Sequence, residues 1–413
     1  MMKRYVALML ALLMLAAVIA GCTPQEGTAT DDAAATEAGD TATDAGSASG
    51  NTIKIGVFQP VTGENGGGGF QEVLGTRYGH EKHPTVEING EEYTVELVEV
   101  DNKSDKTEAV AAATNLVSNQ VSVVIGSYGS GVSIAAGPTF EEANIPAIAP
   151  SATNPQVTQG NEYYFRVCFL DPFQGEVMAN YATEGGAKKA AVITQLGDDY
   201  SSGLGNFFRN AFADLGGEIV AEEQFQTNQT DFRAILTNIK AADPDVIFAP
   251  SSIATAPLML QQARELGIEA QVMAGDTWEN QTIIDNAGDA AEGVAISTFF
   301  DEGDTSNPAA AEFVEGYKEF IQGNDEYMTK NGGDGVAAVS ALGYDAYMVA
   351  LEAIKAAGST DGAAIKDALK NVDYDGVTGH ITFDENGDAE KDMAYIKTIK
   401  DGQFVFDRTV STQ

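Results

Sequence analysis

An α/β fold of two doubly wound parallel-sheet lobes follows from three features of the sequence. From Ile53 onward, short apolar runs alternate with stretches of helical period, the rhythm of parallel strands covered by helices on both faces. Two such series follow one another. The body from Thr52 to the end is also too long for one minimal domain and suits two.

The strands are expected at Ile53–Phe58, Val95–Val100, Val121–Ile125, Ala147–Ala149, Ala190–Thr194, Glu218–Phe225, Val246–Phe248, Val272–Ala274 and Gly293–Thr298. Amphipathic stretches between them include Lys106–Ser118, Gly203–Leu215, Phe232–Ala241 and Pro257–Leu266. Tyr344–Ala357 is a strongly apolar helix late in the chain. Ala394–Ile399 and Phe404–Asp407 read as a hairpin around Asp401-Gly402, and Asp384–Asp388 as a tight polar turn after a strand at His380–Phe383. In such sheets ligands bind beyond the carboxyl ends of strands. The segments there are Gln59–Gly69, Gly126–Gly131, Pro150–Asn154, Gln195–Ser201, Pro250–Ala254 and Gly275–Trp278. All are read as loops. They are built mostly of small and polar residues, as a cleft for a small polar solute would be.

The first residues address the chain. Lys3 and Arg4 precede an apolar run, Tyr5–Ala20, too short to span a bilayer comfortably, which closes on Ile19-Ala20-Gly21-Cys22. This resembles a bacterial lipoprotein signal, which implies cleavage before Cys22 and lipidation of that residue. The alternative is an ordinary signal peptide with a chance cysteine. Thr23–Asn51 has almost no large apolar residue and reads as a disordered acidic tether with a mean reach of about 30 Å. No later run is apolar enough to span a membrane, so the protein is expected to be anchored rather than threaded. The formal net charge of −38 speaks against nucleic acid and anionic lipid surfaces. With Cys22 lipidated, Cys168 alone remains, in an apolar run, and is expected to be a buried, inert thiol with no disulfide partner.

The chemistry is narrowed by elimination. Val121–Pro138 (VSVVIGSYGSGVSIAAGP) is a strand, a small-residue loop and a helix, the arrangement that cradles anions. Its glycines are spaced G-x-x-G-x-G, which does not fit a dinucleotide fingerprint. No Lys follows Gly66–Gly69, so a P-loop fails. Gly131–Ala135 is a near miss for a nucleophile elbow and has no plausible His partner. His80 and His83 lie in a charged segment, GHEKHP, without cysteine. No metal, no cofactor and no enzymatic activity are expected. What remains is a cradle in which the helix start near Gly131 and the Ser130 hydroxyl receive a carboxylate. Thr153 adds a hydroxyl, and Asp276 is the best placed acid for an ammonium.

The body from Ile53 to Phe406 resembles the leucine/isoleucine/valine-binding proteins of ABC importers, within the type I periplasmic-binding-protein fold. The stretches that carry the resemblance include IKIGVFQPVTG, VVIGSYGS, EEANIPAIAPSATNP, YYFRVCFLDPFQG, DDYSSGLGNFF and GYDAYMVALEAI. The resemblance implies two lobes joined by three crossover strands near Arg166–Asp171, Ser297–Asp301 and Glu390–Met393. Lobe one is then 52–170 plus 302–390, and lobe two 171–301 plus 391–413. It implies that Ser130 and the Ser151-Ala152-Thr153 segment hold a ligand's α-carboxylate and α-ammonium from lobe one. Tyr200 and Asp276 close from lobe two. Tyr128, Gly129 and Ser252 fall beside the ligand. Two positions often aromatic in the family are here Gly68 and Ser252, and Tyr128 and Trp278 add bulk near the cleft. The side chain of the ligand is therefore left open.

The expected function is an extracytoplasmic lipoprotein that binds an amino acid, branched-chain or related, and delivers it to an ABC permease. It is expected to act as a monomer. The alternative is an extracytoplasmic sensor or binding protein for amides or another small polar solute. A Cys22→Ala variant is expected to be released from membranes or left unprocessed. Fractionation of expressing cells checks this, and normal anchoring of that variant would overturn the lipoprotein reading.

Overall fold

The computed structural model describes residues 51–304 and 306–411; Cys22 and the signal and tether segments lie outside them. Strand β1 (Asn51–Gln59) leads into helix α1 (Gly66–Lys82), followed by β2 (Thr85–Ile88), β3 (Glu91–Asp101), α2 (Lys106–Ser118), β4 (Val123–Ile125), α3 (Ser130–Glu142), β5 (Ala147–Ala149) and β6 (Tyr164–Arg166). These strands form a six-stranded sheet in the order β2-β3-β1-β4-β5-β6, parallel except for β2. The chain then passes to α4 (Asp171–Glu184), β7 (Lys189–Gln195), α5 (Asp199–Asp214), β8 (Glu218–Phe225), α6 (Arg233–Ala242), β9 (Val246–Phe248), α7 (Ala256–Glu265), β10 (Gln271–Ala274), α8 (Gln281–Ala287) and β11 (Ala295–Thr298). It returns to the first lobe with α9 (Pro308–Gln322), α10 (Asp325–Asn331), α11 (Ala338–Ala357), α12 (Gly362–Leu369) and the hairpin β12 (Asp373–Gly376)–β13 (Gly379–Thr382). The antiparallel pair β14 (Met393–Lys400) and β15 (Gln403–Ser411) completes a seven-stranded sheet, β15-β14-β11-β10-β9-β7-β8.

Local sequence explains the helix starts that flank the cleft. Asp105 caps α2 by accepting from the Thr107 and Glu108 amides, and Asp198 caps α5 by accepting from those of Tyr200 and Ser201. Helix α1 is a correction to the sequence reading, which left Gly66–Gly69 in a loop. Four glycines are poor helix formers, each about 1 kcal/mol worse than alanine. Tertiary contact overrides that cost. A Cβ on Gly69 would lie 2.1 Å from the Pro60 carbonyl oxygen, and further along the helix a Cβ on Gly75 would lie 1.9 Å from the Ser340 carbonyl oxygen of α11, so glycine there lets the two buried helices touch. Trp278 is a second correction. It is fully buried, with its indole N–H donating to the Ser251 carbonyl at 3.1 Å, and belongs to the core of lobe two.

At the end of β6 stands Arg166, which is fully buried. Its guanidinium donates to the carbonyls of Ala152 (2.7 Å), Asn154 (2.8 Å) and Pro155 (3.3 Å) and to the Thr158 hydroxyl (2.7 Å), and forms an ion pair with Asp388. The backbone continues the contact: Arg166 N–H donates to Gly387 O, and Ala389 N–H to Arg166 O. The turn that presents Asp388 is the polar turn expected at Asp384–Asp388, closed by Asp384 accepting from the Asn386 and Asp388 amides. Asp388→Ala leaves a buried guanidinium without its counter-charge. It is expected to lower the unfolding free energy by about 3–5 kcal/mol, read by denaturant unfolding.

Candidate functional site

Seven strand ends of the two sheets converge on a cavity of about 250 Å³. Asn65, Tyr128, Gly129 and Ser130 line it from lobe one, and Gln195, Tyr200, Ser251, Ser252 and Thr277 from lobe two. Helix α3 opens directly on it. Its N-cap is Gly129, which offers no side chain, so the first amides of the helix are uncapped. Ser130 Oγ accepts from the Asn154 amide at 3.2 Å, which leaves its own proton free to donate.

The two lobes are bridged across the cavity. Gln195 Nε2 donates to Glu64 Oε2 at 2.8 Å, the Ala254 amide to Glu64 O at 3.1 Å, and the Ile253 amide to Asn65 Oδ1 at 3.1 Å. Asn154 Nδ2 donates to Asp199 O at 2.8 Å, and Lys106 pairs with Asp199 at 2.7 Å. Tyr128 crosses the gap and donates to Thr277 O at 3.3 Å. Its ring occupies the space beside Gly68, where a Cβ would lie 2.4 Å from it. Partly exposed pairs such as Lys106–Asp199 contribute at most about 1 kcal/mol each. The described form is therefore closed by many small contacts.

Three carboxylates lie buried beneath the cavity. Asp276 Oδ1 accepts from Gln174 Nε2 (2.8 Å) and from Tyr200 Oη (3.1 Å), and Tyr200 Oη in turn accepts from Thr277 Oγ1 (3.2 Å). Burial pushes Asp276 up to about 6, with the Gln174 and Tyr200 bonds opposing. Glu72 accepts from Ser151 Oγ and from Gln59 Nε2. Burial pushes it up to about 8, and the nearby Asp276 charge adds to that. Asp171 is pushed up to about 8, again by burial; the neighbouring Thr153 hydroxyl opposes this, yet no well-formed hydrogen bond joins them. Both Asp171 oxygens, Thr153 Oγ1 and Gln174 Oε1 are buried without partners. Such a group of unpartnered polar atoms calls for an incoming polar partner. Burial raises all three, and Asp276 the least, with two donors to its carboxylate opposing, so Asp276 is the acid of the three that ionises most readily.

Of the residues expected at the site, Tyr128, Gly129, Ser130, Tyr200 and Ser252 line the cavity. Asp276 stands behind Tyr200 and Thr277. Thr153 is buried and unpartnered, Ser151 is engaged by Glu72, and the Ala152 carbonyl is held by Arg166. Glu64 and Gln195 fall in segments expected at the cleft without having been singled out, and Glu72, Asp171 and Gln174 were not foreseen there. Among the described residues, no group of three or more His, Cys, Asp or Glu side chains is arranged to hold a metal ion.

The raised acids set a pH dependence. Each folded-state pKa lies above its unfolded value, so the folded state holds more protons between about pH 4 and 8. Stability from these groups is complete below pH 4 and is lost as pH rises through 6 (Asp276) and 8 (Glu72, Asp171). The slope is at most about 1.4 kcal/mol per pH unit per group. Ligand-free Glu72→Gln and Asp171→Asn variants are expected to lose less stability than the parent between pH 5 and 8. Thermal unfolding at both pH values checks this, and equal losses in parent and variants would contradict it.

A family described as "Periplasmic binding protein" matches residues 52–403. A leucine-binding protein from Thermotoga maritima superposes with a TM-score of 0.80 at 38% identity, covering 87% of this chain and 99% of that one. A branched-chain amino acid transporter substrate-binding protein from Streptococcus pneumoniae, solved with isoleucine, superposes with a TM-score of 0.78 at 31% identity, covering 88% and 100%. A leucine-, isoleucine-, valine-, threonine- and alanine-binding protein of Pseudomonas aeruginosa is 28% identical over 341 residues, 82% of this chain and 87% of that protein. With its two bridged parallel-sheet lobes and the cavity between them, the chain belongs to the periplasmic-binding-protein family, in the branch of ABC substrate-binding proteins that includes the Leu/Ile/Val-binding proteins.

Proposed function

We propose that this protein captures an amino acid, branched-chain or related, in the interlobe cavity and hands it to an ABC permease without chemical change. The body works outside the cytoplasmic membrane as a monomer, anchored through lipid on Cys22. The observation that carries the reading is the two-sided polarity of the cavity. Lobe one offers the uncapped amides of α3 and the Ser130 hydroxyl, which suit a carboxylate. Lobe two offers Tyr200 and Thr277 and, directly behind them, Asp276, the least raised of the three buried acids, which accepts from Tyr200 and Gln174. An α-amino acid carries that pair of charges, and both need partners once water is expelled. Thr153 and the Ser151–Thr153 backbone complete the grip, and Tyr128, Gly129 and Ser252 face the ligand's side chain. The relatives that bind leucine and isoleucine support the same class of ligand.

Calorimetric titration with leucine, isoleucine and valine tests the reading, with the matching α-keto acids as controls that lack the ammonium. Asp276→Asn is expected to weaken amino-acid binding about ten- to hundredfold, the worth of a charge-assisted hydrogen bond. Ser130→Ala is expected to cost less, because the helix amides remain. Binding of Asp276→Asn as tight as the parent's would move amides or neutral solutes ahead of amino acids. Small-angle scattering is expected to show compaction on binding, as the open lobes swing together.

A further inference from the structure

A second cavity, of about 210 Å³, shares no lining residue with the first. Its walls come from the three segments assigned here as crossovers: Val167–Phe169, Phe299 and Glu390–Met393. Leu342 and the hairpin residues Thr378–His380 close it from lobe one. One side is apolar. Phe169 and Phe299 meet with ring centroids 4.3 Å apart, Val167 and Leu342 are buried, and Met393 is 42% exposed. The other side carries the Lys391 ammonium.

Lys391 is an unusual cation in this chain. Its Nζ donates to Thr378 O at 3.0 Å, its one side-chain hydrogen bond among the described residues, and no carboxylate stands within ion-pair distance. Two of its three donors are therefore uncommitted. The charged groups around it are already engaged or face solvent. Asp345 accepts from the Val377 and Thr378 amides and the Thr378 hydroxyl. His380 pairs with Asp375 and Asp373. Glu390 and Asp392 are exposed. Desolvation lowers the Lys391 pKa, which an arriving anion would reverse.

We propose that this cavity is a second ligand site, which takes a short aliphatic monocarboxylate. Its carboxylate accepts from Lys391 and its chain packs on Phe169, Phe299, Leu342 and Met393. Because the walls belong to every segment that joins the lobes, the occupant is sensitive to lobe position. It fits the bridged form described above and favours it. By linkage it then tightens the amino-acid cleft by the same factor that cleft occupancy tightens it.

Hexanoate is the probe, with hexanol and hexylammonium as controls. Binding of carboxyl-labelled hexanoate to the full chain is followed by NMR without any amino acid present, so this arm does not depend on the identity of the cleft ligand. Saturable millimolar binding is expected, at least tenfold weaker for hexanol and hexylammonium and for Lys391→Met. Met393→Trp, at an exposed position over the mouth, is expected to hinder entry and serves if Lys391→Met fails to fold. Saturating leucine is expected to tighten hexanoate about fivefold. Absence of saturable binding, unchanged binding in both variants, or displacement of hexanoate by leucine would each overturn the proposal. If leucine does not bind at all while hexanoate binds through Lys391, the amino-acid reading fails and this one stands.

Discussion

The site depends on one buried cation. Arg166 gathers three parts of the chain: the loop after β5 through its carbonyls, the Thr158 turn through its hydroxyl, and the distant polar turn through Asp388. The loop after β5 carries Ser151, Ala152 and Thr153. Its carbonyls are turned inward to the guanidinium, which fixes how its other groups are presented. Five donors in a fixed planar fork hold this loop more rigidly than loop composition alone allows. The same contact ties the loop to the end of β6 and to the turn at Asp388.

Around this anchor the protein collects acids in a place that punishes charge. Glu72, Asp171 and Asp276 share a dry region, and burial raises all three. Desolvation disfavours charge on each of them, and donors from Gln174 and Tyr200 oppose it at Asp276. Environment thus separates three chemically similar side chains, with Asp276 the least raised.

Much of this was legible in the sequence because it rests on local pattern. Strands such as Val246–Phe248 and Glu218–Phe225 announce themselves by composition, and the Gly126–Ser130 loop by its place between strand and helix. What was not legible depends on partners far away in the chain. Helix α1 hides behind its glycines because the reasons for them, such as the Tyr128 ring against Gly68 and α11 against Gly75, lie elsewhere in the chain. Glu72 follows from that miss, since its helix was not among those expected. Gln174 sits one turn into α4, on a face that only the seven-stranded sheet reveals as part of the cleft. Trp278 beside Asp276 looked like cleft bulk. The direction of a side chain on so short a turn is set by packing against Ser251, which spacing cannot show.

The pairing of Gly68 with Tyr128 has a consequence for how such a site can change over generations. The two positions compete for one volume: a Cβ at 68 already meets the Tyr128 ring. A chain that acquires a larger residue at 68 first would pass through an overpacked, weakened intermediate, at a cost of about 1–3 kcal/mol. A chain that first trims position 128 would pass through a cavity instead and lose the bond to Thr277. Neither single step is neutral, so the two residues form a sign-dependent pair. Divergence of ligand preference along this branch is then channelled by the order of substitutions as much as by their chemistry.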